Sequence, residues 1–220
     1  MSIYIAWREI IHPEDTEMQG IYDINTVELC GTAATEPLFT HTVSGWDHYG
    51  FVLDVPRLSG RIDSLNISMP SYILLNNGIK QGSILKIRGR LRSRTVHESE
   101  KYRLLLGVRA LAAEVVQTPV CENRVELSGC LCRPPVYRET PLGRRVCDIM
   151  LAVRRKYGKA DFLPIIVWGE NAVRAGMMSP GDRVFCTGRF QSREYVKRLE
   201  TGDEQRTAFE VSVSEICETE

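Results

Sequence analysis

The 220-residue chain has no apolar run approaching the roughly 20 residues that a membrane span requires. Its opening, Met1 to Asp15, lacks the basic region, apolar stretch and small-residue cleavage site of a secretory leader. A cytoplasmic protein without membrane attachment is expected. Histidine is scarce and scattered (His12, His41, His48 and His97), and there is no H-E-x-x-H, no G-x-S-x-G and no phosphate loop ending in G-K-[ST]. Gly158-Lys159 is followed by Ala160, which lacks the hydroxyl that a magnesium site needs. His48 beside Trp46 and Tyr49 reads as ring packing at the end of a strand cluster. No catalytic residue and no cofactor are expected. Net charge is also missing, with 28 basic residues against 28 acidic ones, so total charge does not advertise a polyanion partner. Seven cysteines make an odd number for a disulfide framework, and Cys30, Cys147 and Cys186 sit in apolar alternating runs, as reduced core thiols do. Cys130 and Cys132 have no second ligand pair nearby, which argues against structural zinc.

What the chain does have is concentrated between Lys159 and Tyr195. Alternation in the first strand of this stretch places Leu163, Ile165 and Val167 on one face and Phe162, Pro164, Ile166 and Trp168 on the other. In the second strand Val184, Cys186, Gly188 and Phe190 share the inward parity, leaving Phe185, Thr187, Arg189, Gln191, Arg193 and Tyr195 outward. An outward face of rings, Arg and Gln suits a flexible polyanion with stackable bases. Stacking on an aromatic ring contributes about 1 to 3 kcal/mol per base whatever the base, and arginine neutralises the backbone.

An internal repeat organises the rest. Asn25-Thr-Val-Glu-Leu-Cys-Gly and Asn123-Arg-Val-Glu-Leu-Ser-Gly share N-x-V-E-L-x-G at an offset of 123 − 25 = 98. Gly89-Arg-Leu-Arg-Ser-Arg matches Gly188-Arg-Phe-Gln-Ser-Arg at 188 − 89 = 99. Three segments are expected: an N-terminal extension over 1–24 with no assigned role, a first domain over 25–117 and a second over 118–220. Gln117 to Glu122, with Pro119, is the short linker. The predicted strands of the second copy are Arg124 to Cys132, Arg145 to Arg155, Phe162 to Trp168, Asp182 to Tyr195 and Thr207 to Ile216, with a helix over Glu170 to Met178. Those of the first are Thr26 to Ala33, Tyr49 to Arg57, Ser64 to Met69, Ser83 to Val96 and Tyr102 to Val116. Five strands with a short helix between the third and fourth describe the OB-fold, a Greek-key barrel, so the expected class is all-β with two tandem OB-fold barrels.

The second copy resembles the bacterial single-stranded DNA-binding protein family. The likeness runs through Asn123-Arg-Val-Glu-Leu-Ser-Gly, Leu151-Ala-Val-Arg-Arg, Asp161-Phe-Leu-Pro-Ile-Ile-Val-Trp-Gly, Gly188-Arg-Phe-Gln-Ser-Arg-Glu-Tyr and Phe209-Glu-Val-Ser-Val, in the family's order and spacing. It implies sequence-tolerant single-stranded DNA binding in replication, recombination or repair, with base-stacking positions at Tyr157, Phe162, Trp168 and Tyr195. Two barrels in one chain resemble the family's tandem form, which implies a homodimer with four barrels. Family chains usually continue into a flexible tail whose acidic tip recruits replication and repair proteins. This sequence reads to Ile216-Cys-Glu-Thr-Glu without one, which puts that recruiting role in doubt and leaves replication proteins as candidate partners.

Charge is unevenly spread. Arg133 to Lys159 holds Arg133, Arg138, Arg144, Arg145, Arg154, Arg155, Lys156 and Lys159 against Glu139 and Asp148, a balance of +6, while Glu200 to Glu220 stands at −6. The basic segment, including Arg154, Arg155, Lys156 and Lys159, is the expected phosphate track. The first copy has Ser64, Asn66, Ser68 and Pro70 where the second has Phe162, Pro164, Ile166 and Trp168. It instead carries Lys86, Arg88, Arg90, Arg92 and Arg94 at alternate positions, so it is expected to hold phosphates without stacking bases. A protein-binding assembly module of the primosome type, or an RNA binder, is the alternative reading.

Overall fold

The computed structural model describes residues 23–43, 45–98, 101–199 and 202–219; of the expected extension 1–24 only Asp23 and Ile24 are among them. The first half contains β1 (Asn25–Ala33), β2 (Leu38–Val43), β3 (Trp46–Pro56), β4 (Ile62–Pro70), α1 (Ser71–Asn76), β5 (Ile84–Glu98) and β6 (Lys101–Val115). The second contains β7 (Asn123–Leu131), β8 (Val136–Glu139), β9 (Arg145–Arg154), a 3₁₀ turn at Lys156–Gly158, β10 (Ala160–Trp168), α2 (Gly169–Ala175), β11 (Arg183–Leu199) and β12 (Gly202–Glu218). Each half is an OB-fold barrel. The alternating side chains of its strands bury one set, such as Leu29, Leu53, Leu65, Leu85 and Leu91 in the first barrel and Leu127, Leu151, Leu163 and Phe190 in the second. Among the described residues, no helix is long and apolar enough to cross a membrane.

Two strands were not anticipated. β2 and β8 are exposed along their whole length, so neither shows the hydrophobic alternation by which a strand is read. β11 and β12 also run past their expected ends as a paired ribbon, from Leu199↔Gly202 back to Val184↔Glu218. The second helix is shorter than Glu170 to Met178, because Gly176 caps it.

The strand order β2-β3-β4-β6-β5-β1-β7-β11-β12-β10-β9-β8 reads the same from either end once the repeat is applied. β1 and β7 are antiparallel neighbours, and Val27 pairs with Val125, its own counterpart at an offset of 98. A pseudo-two-fold axis therefore passes through that pair. Each barrel closes where its first strand meets two others, β1 with β3 and β5, β7 with β9 and β11. The tight curl needs glycine: a Cβ on Gly31, Gly89, Gly129 or Gly188 would fall 2.3 to 2.5 Å from a backbone carbonyl oxygen of the neighbouring strand.

Candidate nucleic-acid interface

On β10 the pleat sends Leu163, Ile165 and Val167 into the core, while Phe162 is 47% and Trp168 38% exposed. The two rings lie on one face about 20 Å apart, six residues at roughly 3.3 Å each. Between them Pro164 is half-buried, and Ile166, although of outward parity, is buried, which makes an apolar floor. Trp168 Nε1 donates to Ser212 Oγ at 3.1 Å, fixing the indole against β12. Cross-strand pairing carries the same row from Ile166 to Ser212 and on to Arg189 of β11, which is exposed. Further along β11 Tyr195 is 37% exposed, and the Arg193 guanidinium stands 5.7 Å from the centre of its ring. Arg193 is also 3.7 Å from Glu210, a buried carboxylate on β12. Lys159 is exposed beside the 3₁₀ turn. Tyr157 lies within that turn, and its side chain is outside the described residues.

Several expected contacts are engaged elsewhere. Gln191 is buried, with its amide donating to Glu210 at 2.9 Å, so it does not present itself to a strand. Arg155 forks onto the fully buried Asp161 and reaches the Ser93 carbonyl of the first barrel at 3.3 Å. Arg92 pairs with the same carboxylate at 3.0 Å; burial pushes its guanidinium down to about 10, with Asp161 opposing, and it stays charged at neutral pH. Arg154 pairs with buried Asp23 at 3.1 Å, and Arg183 with it as well. Burial raises the Asp23 carboxyl, but the hydrogen bonds from Arg154 and Arg183 outweigh that and hold it below its ordinary value. Arg138 and Arg145 pair with Asp148 and Glu170, and Lys156 also has an interaction partner.

The +6 segment is thus largely neutralised, mostly by carboxylates outside its own window. In the first barrel the outward parity of the basic stripe is as expected, but the stripe is divided. Lys86 pairs with Glu122 at 3.3 Å and Arg88 stands opposite Glu28, both near the pseudo-two-fold axis. Arg90 and the exposed Arg94 lie farther along β5, beside β6. Asp161, Glu210 and Ser212 were not singled out from the sequence. Asp161 could have been, because it recurs as Asp63 at the repeat offset of 98.

A model of the single-strand binding protein family matches residues 122–217, the span that carries this platform. The matched span is the second barrel, less than half of the chain. Relatives include single-stranded DNA-binding protein 3 of Clostridium acetobutylicum, 41% identical over 80 residues, or 33% of this chain and 56% of that protein. The single-stranded DNA-binding protein of Halalkalibacterium halodurans is 38% identical over 80 residues, 33% of this chain and 48% of that one. The chain spans about half the length of these relatives. Across both barrels it resembles the wild-type single-stranded DNA binding protein from Thermus aquaticus, with a TM-score of 0.72 at 22% identity, covering 90% of this chain and 94% of that one. That likeness is one of fold: two tandem barrels.

Proposed function

We propose that the chain binds single-stranded DNA without sequence preference, as a coat for exposed strands in replication, recombination or repair, and that it has no enzymatic activity of its own. The observation that carries this reading is the pair of exposed rings, Phe162 and Trp168, on one face of β10 with Arg189 two strands away. Bases stack on the rings and on Tyr195, while Arg189, Arg193 and Lys159 meet the phosphates. Arg154, Arg155, Arg92 and Gln191 hold the scaffold instead. Since the pseudo-two-fold axis already makes one chain equivalent to a pair of barrels, two chains associating would give four. Titration with oligodeoxythymidylates of graded length, followed by intrinsic fluorescence, tests the proposal. Quenching with a sharp minimum length is expected; no quenching and no binding at low salt would contradict it.

A further inference from the structure

Ser212 stands in the middle of the row that runs from Ile166 through β12 to Arg189, between buried Val211 and Val213 in the sequence. Its parity is therefore outward, and it is half-buried. Its hydroxyl oxygen accepts from Trp168 Nε1 at 3.1 Å. Among the described residues that is its one side-chain partner, so the hydroxyl's own hydrogen has no protein acceptor. Arg189 lies directly across the β11/β12 ladder, which sets the two Cβ atoms about 5 Å apart on the same face. It is exposed and, among the described residues, pairs with no carboxylate. Two residues along β12, Glu210 is buried and already accepts from the Gln191 amide at 2.9 Å.

The internal repeat shows which residue the hydroxyl accompanies. The pairs Gly89↔Ala110 and Gly188↔Val213 fix the alignment of the two ribbons. Arg109 then stands opposite Arg90 where Ser212 stands opposite Arg189, and Pro70 takes the place of Trp168. The first barrel keeps the arginine of the row but loses the ring and the hydroxyl together. A hydroxyl beside an unpaired guanidinium suits a phosphate, whose oxygens accept from both at once. A base carbonyl, with one oxygen and no charge, makes less use of the pair. Donating its hydrogen to phosphate also polarises the Ser212 oxygen and strengthens the bond that it accepts from the indole.

We propose that Ser212 is a strand-binding residue of the second barrel: its hydroxyl donates to a backbone phosphate that Arg189 also holds, and thereby locks the Trp168 indole beneath the adjoining base. This rests on the proposed single-strand binding and adds to it the link through which the stacking ring and the phosphate contact act together.

The test measures the affinity of the full chain for an oligodeoxythymidylate at fixed salt. Ser212→Val and Ser212→Thr have the same shape and differ in the hydroxyl. Ser212→Val is expected to bind roughly 10-fold more weakly than wild type and Ser212→Thr within about 2-fold of it, the difference being a hydrogen bond to a charged group. Combined with Arg189→Ala, the loss from Ser212→Val should shrink to about 3-fold, because the shared phosphate is already released. In a Trp168→Phe background, where the ring has no N–H, the loss should persist. The salt dependence of Ser212→Val should match that of wild type, since no charge is removed. If Ser212→Val is unstable to denaturant, Ser212→Ala takes its place in the same comparisons. Equal affinities of the Val and Thr variants, no loss in the Trp168→Phe background, or an undiminished loss alongside Arg189→Ala would each overturn the phosphate contact while leaving the proposed function standing. A wild-type chain that binds no oligomer at all would overturn both.

Discussion

At the scale of single residues, Trp168 has one hydrogen bond, to Ser212, and more than a third of its surface free. Its removal should therefore touch binding much more than folding. Trp168→Ala is expected to weaken oligodeoxythymidylate binding by about 1 to 3 kcal/mol with an unchanged circular dichroism spectrum. His48 behaves in the opposite way. Burial first, then Arg109 and His41, hold its imidazole below the ordinary value of 6.5. The folded state therefore binds fewer protons than the unfolded one, so this residue's contribution is complete above about pH 6.5 and shrinks as pH falls below it. Denaturant midpoints should drop between pH 7.5 and pH 5.5 in the wild type, and less so in His48→Gln; equal drops would refute the assignment. The rings of β10 were legible in the sequence because strict alternation tells inside from outside. The arginines were not. A guanidinium's partner is a three-dimensional fact, and Asp23, Asp161 and Glu170 all lie outside the segment whose charge was counted.

At the scale of elements, β5 and β11 each carry a register irregularity at a glycine, Arg88/Gly89 and Thr187/Gly188. There the strand stops pairing with the barrel's first strand and continues as a ribbon with the next. A methyl at Gly188 would meet Ser212 O at 2.3 Å, and one at Gly89 would meet Arg109 O at 2.4 Å, both rigid backbone atoms. Gly188→Ala is accordingly expected to cost about 1 to 3 kcal/mol or more, measured by denaturant unfolding. A neutral substitution would mean that the bulge can relax. These glycines showed in the sequence as the anchors of the repeat, which is why the barrels could be laid over one another before any strand pairing was known. β2 and β8 could not be read, since a strand exposed on both faces has no buried set to mark it.

At the scale of the whole molecule, the pseudo-two-fold axis generates two matching locks. Arg57 forks onto buried Asp63, which also accepts from Ser192 N of the second barrel at 2.9 Å. Arg155 forks onto buried Asp161, which accepts from Ser93 N of the first at 2.7 Å. With β1 against β7 between them, the barrels should unfold as one unit. Asp161→Ala strands two guanidiniums and is expected to cost about 3 kcal/mol, the low end for a broken buried pair because Arg92 and Arg155 stay about a quarter exposed. Two separate thermal transitions in the wild type would contradict that coupling. Salt dependence follows from the same pairing. With most of the basic segment already neutralised, the slope of log affinity against log salt should be near −3, roughly four phosphates at −0.7 each, instead of the −6 or so that eight free cations would give.

The central claim is that bases, and not only phosphates, hold the strand on the second barrel. It is tested most directly by comparing wild type and Trp168→Ala on two ligands of equal length and charge, an oligodeoxythymidylate and the corresponding abasic oligomer. The account predicts that the wild type binds the abasic strand more weakly, and that Trp168→Ala loses about 1 to 3 kcal/mol on the thymidylate but almost nothing on the abasic strand. Equal losses on both ligands, or equal wild-type affinity for the two, would contradict it.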